Sequence, residues 1–391
     1  MNRNCLMILP FISVLLFSLV SCTQPDMTTD ATEGWEDMFK PEEPEEPEEP
    51  DTPGTPDDPV DDTKDVYADE ESFFKMRGLV MGWSDVNDPK VLDYIKIAKE
   101  NGLNTFSIYG ADRSHVVWKA FARDCADAGI FLEYEEHMMS FLLPRALFDT
   151  HPEYFRMNQQ GVRVKDANGC PSSEGALAEV YKNAIDIGKR YNPTNNRYYF
   201  WLDDGGDVCY CDKCKELNDA DQALIFENEV IKALKTINPD AMLAHLCYAN
   251  TTDPPKKVKP HEDIFLEFAP FYRSWDYPLA DTWVTGNQGM THGKYLRSLE
   301  DHLKVFPAET AQVLEYWMDD SLFSGWNPNK LKPVPWKYES VFLKDLDTYA
   351  KYGIRHITCY CAYVGPSYVN LFGFPDFLVE YAQALRDYEK K

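Results

Sequence analysis

The sequence predicts an α/β fold, a (β/α)8 TIM barrel with long βα loops and a cysteine-rich loop after the fourth strand. Three observations carry this expectation. From Phe73 onward, short β-rich runs alternate with longer helical ones over about 320 residues, a length and rhythm that suit a closed barrel better than an open sheet. A glycine join recurs at Asn101-Gly102-Leu103, Ala128-Gly129-Ile130 and Tyr352-Gly353-Ile354, each a helix end leading into a β-branched or aromatic run. Neither G-x-G-x-x-G nor G-x-x-x-x-G-K-[ST] occurs, which removes the fingerprints of dinucleotide and nucleotide folds.

The predicted strands are Met76 to Trp83, Leu103 to Tyr109, Ile130 to Glu136, Tyr198 to Asp203, Met242 to Tyr248, Ile264 to Pro270, Gln312 to Met318 and Arg355 to Cys361. Behind the first, Asp88-Pro89 reads as an N-cap and first-turn pair, opening a helix with Val91, Ile95 and Ala98 on one face. Two long excursions, Met138 to Glu174 and Thr251 to Pro260, follow the third and fifth strands. They belong on the face where barrels carry their sites.

Upstream the chain is of another kind. Residues 1–22 read as an export signal: Arg3, an apolar run from Leu6 to Val20 too short to span a bilayer, then Leu19-Val20-Ser21-Cys22. That ending resembles a bacterial lipobox, which implies acylation of Cys22 and anchorage at the outer membrane or cell surface; the alternative is a plain secretory signal with an incidental cysteine. Residues 23–72 hold 20 Asp or Glu against two lysines and the run Pro41-Glu-Glu-Pro-Glu-Glu-Pro-Glu-Glu-Pro50, a self-repelling, proline-stiffened tether. This segment carries most of the chain's net charge of −26, so the domain from 73 to 391 is only mildly acidic. No basic stripe is present, which argues against nucleic acid as a partner.

Carboxylates at strand ends are poorly explained by packing. Tyr198-Tyr-Phe-Trp-Leu-Asp-Asp-Gly-Gly206 runs from an apolar strand straight into two acids and two glycines. Successive side chains on a strand face opposite ways, so Asp203 and Asp204 reach one pocket only if the chain bends, and Gly205-Gly206 permits a bend. Repulsion between adjacent carboxylates favours one neutral acid beside one anion. Substrate-assisted glycoside hydrolysis uses that pair: the sugar's 2-acetamido oxygen attacks the anomeric carbon, the anion (Asp203) holds the amide N–H, and the acid (Asp204) protonates the leaving oxygen. Tyr248 or Tyr316 would hydrogen-bond the developing oxazoline. The alternative reading makes one or both Asp helix caps or calcium ligands.

Glu135 and Glu136, Glu267, and Glu315 with Asp319 and Asp320 also sit late in strands. Of these Glu315 is the sequence candidate to pair with Asp204 in a conventional two-carboxylate glycosidase acting on a sugar without an acetamido group. Aromatic residues crowd the same ends: Trp83, Tyr109, Tyr248, Tyr272, Trp275, Tyr316, Trp317 and Trp326. Such rings stack on the apolar faces of sugars, and with Glu267 they form the expected substrate-binding set.

Cys209-Tyr-Cys211-Asp-Lys-Cys214 follows the double-Asp turn directly. C-x-C-x-x-C supplies three of four tetrahedral zinc ligands, with Cys170 as the fourth and Cys247 and His261 as weaker candidates. In an exported protein the same four thiols could instead form two disulfides, and sequence leaves structural zinc and disulfides open. Cys359 and Cys361 read as buried small residues and Cys125 as helix core.

His151-Pro-Glu-Tyr-Phe155, Gly161 with Arg163, Cys170-Pro-Ser-Ser173, Asp204-Gly205, the cysteine run, Phe226-Glu-Asn-Glu-Val230, Asn238-Pro-Asp240 and Ala244 to Tyr248 together resemble the glycoside hydrolase family 163 domain. The resemblance covers roughly residues 145 to 275. It implies a barrel related to the hexosaminidases, whose members include endo-β-N-acetylglucosaminidases acting on N-linked chitobiose cores. The double Asp is also similar to the O-GlcNAc hydrolases, which implies an acetamido-orienting and an acid aspartate. The chain departs from larger family members in having only tether before Phe73, and it has Asp-Asp where several acetamido-using families have Asp-Glu. The expectation is therefore a surface-anchored glycosidase acting on a glycan or glycoprotein, or, from another class, a glycan-capturing lipoprotein that keeps the barrel without catalysis.

Overall fold

The computed structural model describes residues 66–67 and 70–389. The export signal, Cys22 and most of the tether lie outside the described residues. Among the described residues no helix is long and apolar enough to cross a membrane.

Nine parallel strands form one sheet: β1 (Met76–Gly82), β2 (Thr105–Tyr109), β3 (Phe131–Glu133), β4 (Glu135–His137), β5 (Arg197–Trp201), β6 (Met242–Cys247), β7 (Ile264–Phe268), β8 (Gln312–Glu315) and β9 (His356–Tyr360). Their order is β3-β2-β1-β9-β8-β7-β6-β5-β4. Because β3 and β4 are consecutive pieces of one run, the sheet is a nearly closed eight-membered TIM-like barrel, and all eight predicted strands are present. The third is split at Tyr134. β3 pairs with β2 and β4 with β5, while the Glu135 N–H between them donates to Ser107 Oγ at 2.9 Å instead of to a strand carbonyl.

The helices of seven residues or more are α1 (Tyr94–Asn101), α2 (Val116–Asp127), α3 (Glu174–Arg190), α4 (Asp219–Leu234), α5 (His292–His302), α6 (Leu343–Lys351), α7 (Pro366–Phe372) and α8 (Phe377–Arg386). The first starts later than predicted. Asp93, not Asp88, accepts from the Lys96 N–H as the N-cap, and Asp88 instead closes a turn whose carbonyl receives the Val91 and Leu92 amides. The expected apolar face shifts with it, leaving Val91 exposed and Ile97 and Ala98 buried. Gly102, Gly129 and Gly353 all have positive φ, at 95°, 72° and 82°, the left-handed geometry that ends a helix and that glycine adopts without a Cβ clash.

Side chains alternate between two cores. Val80, Tyr199, Trp201, Met242, Ala244, Phe265, Leu314 and Tyr316 fill the barrel interior. Their strand neighbours, such as Leu79, Tyr198, Phe200, Leu243, Leu266 and Val313, pack outward with the helices. The lower interior is polar. Tyr199 donates to Glu133 at 2.8 Å and lies 2.7 Å from Gln312 Oε1, and Asn195 donates to Glu133 at 2.6 Å and to Tyr67 at 3.0 Å. Tyr67, 1% exposed, therefore belongs to the barrel floor, so the folded unit recruits residues upstream of Phe73.

Candidate functional site

The C-terminal end of β5 builds the site. Arg197, Tyr199 and Trp201 face the interior, and Asp203 keeps their parity two residues past the strand. Gly205, at φ 58°, turns the chain, and the Gly206 N–H donates to the Asp203 carbonyl at 3.1 Å. The predicted bend is present. It separates the two carboxylates by environment: the Asp203 side chain is 19% exposed and receives a charge-assisted hydrogen bond from Arg145, whereas that of Asp204 is 42% exposed, with His137 Nε2 at 3.9 Å. Burial, then the Asp204 charge, raises the Tyr248 phenol above its ordinary value, and the same two causes in the same order raise Tyr272. The Tyr248 and Tyr272 rings lie near-parallel with centroids 6.4 Å apart.

A cleft of about 370 Å³, counting its open mouth, adjoins this turn and is lined by His137, Asn168, Leu202, Asp203, Gly205, Ala223, Glu227, Leu246, Tyr248, Asn250 and Thr251. The loops position its walls. Asn168 Oδ1 accepts the Asp203 N–H at 2.9 Å, and its Nδ2 donates to the Gly206 and Asp207 carbonyls at 3.1 and 3.3 Å. His137 Nδ1 lies 2.5 Å from the Leu202 carbonyl, which fixes the ring with Nε2 toward Asp204.

The predicted residues divide into three groups. Asp203, Asp204, Tyr248 and Tyr272 are brought together. Tyr109, Glu267, Trp275 and Tyr316 belong to the barrel interior beneath or beside them: Glu267 accepts from Trp201 Nε1 at 2.7 Å, and Tyr316 stacks on Tyr360 with centroids 5.2 Å apart and edges toward Trp275 at 6.4 Å. Glu315, Trp317 and Trp83 face the helical layer. On β8 Gln312 and Leu314 point inward, so Glu315 has the outward parity. There it pairs with fully buried Arg273 at 2.5 Å and with the Tyr349 hydroxyl, and it is not brought to the cleft. Trp317 Nε1 donates to Asp345 at 3.0 Å, and Trp83 packs edge-on against Trp118 and Phe121 of α2 at 5.5 and 5.4 Å.

Sequence reasoning missed His137, Asn168 and Glu227, which line the cleft, and Arg145, which pairs with Asp203. His137 lies one position beyond the predicted third strand, Arg145 inside the long excursion, and Asn168 two residues before Cys170. Glu227 sits in the Phe226 to Val230 stretch that carried the family resemblance but drew no chemical reading.

Cys170, Cys209, Cys211 and Cys214 are buried with every Sγ within 4.8 Å of the others. Cys170 Sγ is 3.8 Å from Cys211 and 4.0 Å from Cys214, close to the edge of about 3.8 Å that a tetrahedron with Zn–S of about 2.3 Å requires. The Met157 N–H reaches Cys209 Sγ at 3.2 Å and Arg163 Nη1 reaches it at 3.7 Å, donors suited to thiolate sulfur. Hydrogen bonds from Cys209 and Cys214 pull the Cys170 thiol well below its ordinary range. The cluster could bind a structural zinc. Cys247 lies elsewhere, 3.4 Å from Ser298, and His261 interacts with Asp263. Cys125, Cys359 and Cys361 are buried as expected.

Solved structures to which the chain is similar include a glycoside hydrolase family 5 enzyme from Prevotella bryantii B14, at 13% identity and TM-score 0.43 over 81% of this chain and 99% of that one. A family 18 chitinase from Pseudoalteromonas aurantia is similar at 9% identity and TM-score 0.38, over 78% and 98%. A family 20 module of the pneumococcal exo-β-D-N-acetylglucosaminidase StrH is similar at 10% identity and TM-score 0.41, over 80% and 84%. No curated protein matches the sequence. The family described as "Domain of unknown function (DUF4838)" matches residues 64–357, three quarters of the chain, and the protein belongs to that family.

Proposed function

We propose that this barrel is a glycoside hydrolase that cleaves beside an N-acetylhexosamine by substrate-assisted catalysis. The carrying observation is the different environment of the two adjacent aspartates. Asp203 faces the guanidinium of Arg145, which supplies a counter-charge to a carboxylate, and its main chain is fixed by Asn168. A fixed anion suits the task of accepting the acetamido N–H and aligning its oxygen on the anomeric carbon. Asp204 is more exposed, with His137 Nε2 3.9 Å away, and a carboxyl that reaches solvent can give a proton to the leaving oxygen and take one back from water. Tyr248, which lines the cleft, would hydrogen-bond the developing oxazoline.

The resemblance to glycoside hydrolase family 163 extends the reading to an endo-β-N-acetylglucosaminidase on N-glycans. The lipobox-like Leu19 to Cys22 extends it to a lipid-anchored surface protein. In this reading the four cysteines hold a structural zinc with no part in the chemistry.

The test is mass spectrometry of glycans released from an N-glycoprotein mixture, beside an Asp204→Asn control. Oligosaccharides ending in one reducing N-acetylglucosamine, absent from the control, are expected. Equal cleavage of a substrate carrying 2-hydroxyl in place of 2-acetamido would overturn acetamido participation. Glycan binding without release from any glycoprotein would favour a capture protein.

A further inference from the structure

A second carboxylate, Glu227, lines the cleft beside Asp203. Ala223 and Glu227, one turn apart on α4, both line it with Asp203. The rest of that helix face is what a barrel helix needs against its strands: Leu224, Phe226, Val230 and Ile231 are all buried. Glu227 is only 5% exposed. Its Oε2 lies 2.7 Å from His245 Nδ1, and His245, on the outward face of β6, is fully buried. The other nitrogen of His245 has no hydrogen-bond partner, nor has Nε2 of His302, whose ring lies 6.0 Å away.

Packing does not account for this arrangement. A carboxylate and an imidazole taken out of water recover their desolvation only with good geometry and full hydrogen bonding, and here the imidazole is left half-satisfied. An apolar pair would suit the helix–strand seam better. The His245 contact holds one carboxylate oxygen of Glu227, a side chain that lines the cleft. We infer that Glu227 is a substrate-binding residue, accepting hydrogen bonds from hydroxyl groups of the sugar ring seated on Asp203, with His245 as its positioning residue. The inference rests on the proposed glycosidase reading. It adds that the ring presents hydroxyl donors on the α4 side of the cleft.

Calorimetric binding of a glycopeptide bearing a biantennary N-glycan tests it, with the full chain carrying Asp204→Asn so that no turnover interferes. Adding Glu227→Gln is expected to weaken binding roughly tenfold to a hundredfold, the loss of hydrogen bonds to a charged group. Glu227→Asp, which keeps the charge, should recover part of it. The pair Glu227→Leu with His245→Phe separates binding from folding: it is expected to melt at the same or a higher temperature while losing the same affinity. Unchanged affinity in Glu227→Gln, with the Asp204→Asn parent still binding, would overturn the inference and leave the glycosidase reading standing. A parent that binds no glycan, with an unsubstituted chain that releases none, would overturn both.

Discussion

The Asp203 amide donates to Asn168 Oδ1 at 2.9 Å, and Asn168 stands two residues before Cys170. Through its Nδ2 the same side chain holds the Gly206 and Asp207 carbonyls, three and two residues before Cys209. One amide thus ties the double-aspartate turn to the thiol cluster from both sides. Gln222 completes the frame from α4: it accepts the Cys209 N–H at 3.0 Å and donates to the Cys209 and Cys214 carbonyls at 3.0 and 3.3 Å.

If the cluster is a zinc site, elemental analysis of the purified chain should give about one zinc per molecule, in the manner of structural sites built from four thiolates. Chelation under denaturing conditions should release it and expose the thiols to alkylation. Cys211→Ser should lower the melting temperature and the zinc content together, since binding and folding are linked. Metal-free protein with Cys170 and Cys209 to Cys214 linked in two disulfides by peptide mapping would sink the zinc reading.

Asn168→Ala separates the metal from the turn. It removes the shared amide without touching a thiol, so zinc content should stay at the parent level. The freed carbonyls and the Asp203 amide lose hydrogen bonds worth about 1 kcal/mol each, and glycan release should fall roughly tenfold or more as Asp203 loses its fixed position. Unchanged release would mean that the turn is held adequately by Gly205 and the Gly206 hydrogen bond.

Arg145→Ala removes the counter-charge on Asp203. Glycan release is expected to fall by about ten- to a hundredfold, with the loss mainly in kcat, because the carboxylate that should orient the acetamido group becomes free to rotate and hydrate. Arg145→Lys should recover little, since an ammonium lacks the planar fork of the guanidinium. An equal rate in Arg145→Ala would remove Arg145 from the site.

The barrel was legible because its signals are local: apolar runs of strand length, glycine joins and missing nucleotide fingerprints. Asp203 and Asp204 stood out for the same reason, as charges at the end of an aromatic strand. Glu315 misled because a carboxylate late in a strand reads alike whether it points inward or outward. The parity that sends it to Arg273 is set by Gln312 meeting Tyr199 inside the barrel. Arg273 and Asp345 lie 42 and 30 positions away, and no spacing rule links them. Trp317 shares that parity and the same fate. Arg145 and Asn168 were illegible because the long excursion after β4 brings them to Asp203, and loop paths do not follow from periodicity; His137 ends β4, one residue past the predicted strand.

Glu315→Ala should therefore act on stability and not on chemistry. Arg273 is fully buried between Glu315 and Asp345, at 2.5 and 2.8 Å, and removing one anion leaves a partly uncompensated buried cation, a change that typically costs about 3–5 kcal/mol. Urea denaturation should show that loss, while glycan release per folded molecule stays near the parent value. A drop in turnover well beyond the folded fraction would return Glu315 to the reaction.

The barrel interior sets the pH dependence of folding. Glu135 is pushed well above the usual glutamate value by burial first, then by the charges of Glu267 and Glu133, and burial likewise raises Glu267. The folded state therefore keeps protons that the unfolded chain releases above its ordinary value of 4.5. The sign follows from linkage: the folded state binds more protons, so this contribution is complete below pH 4.5 and is lost as pH rises toward the folded value. Each such group steepens the fall by up to about 1.4 kcal/mol per pH unit. Glu135→Gln removes one of them at nearly constant shape. Measured by urea denaturation from pH 4 to pH 9, about the range over which carboxyl linkage acts, its stability should fall less steeply than the parent's, with the advantage of the variant growing toward alkaline pH. Parallel curves for parent and variant would mean that Glu135 ionises freely in the folded barrel.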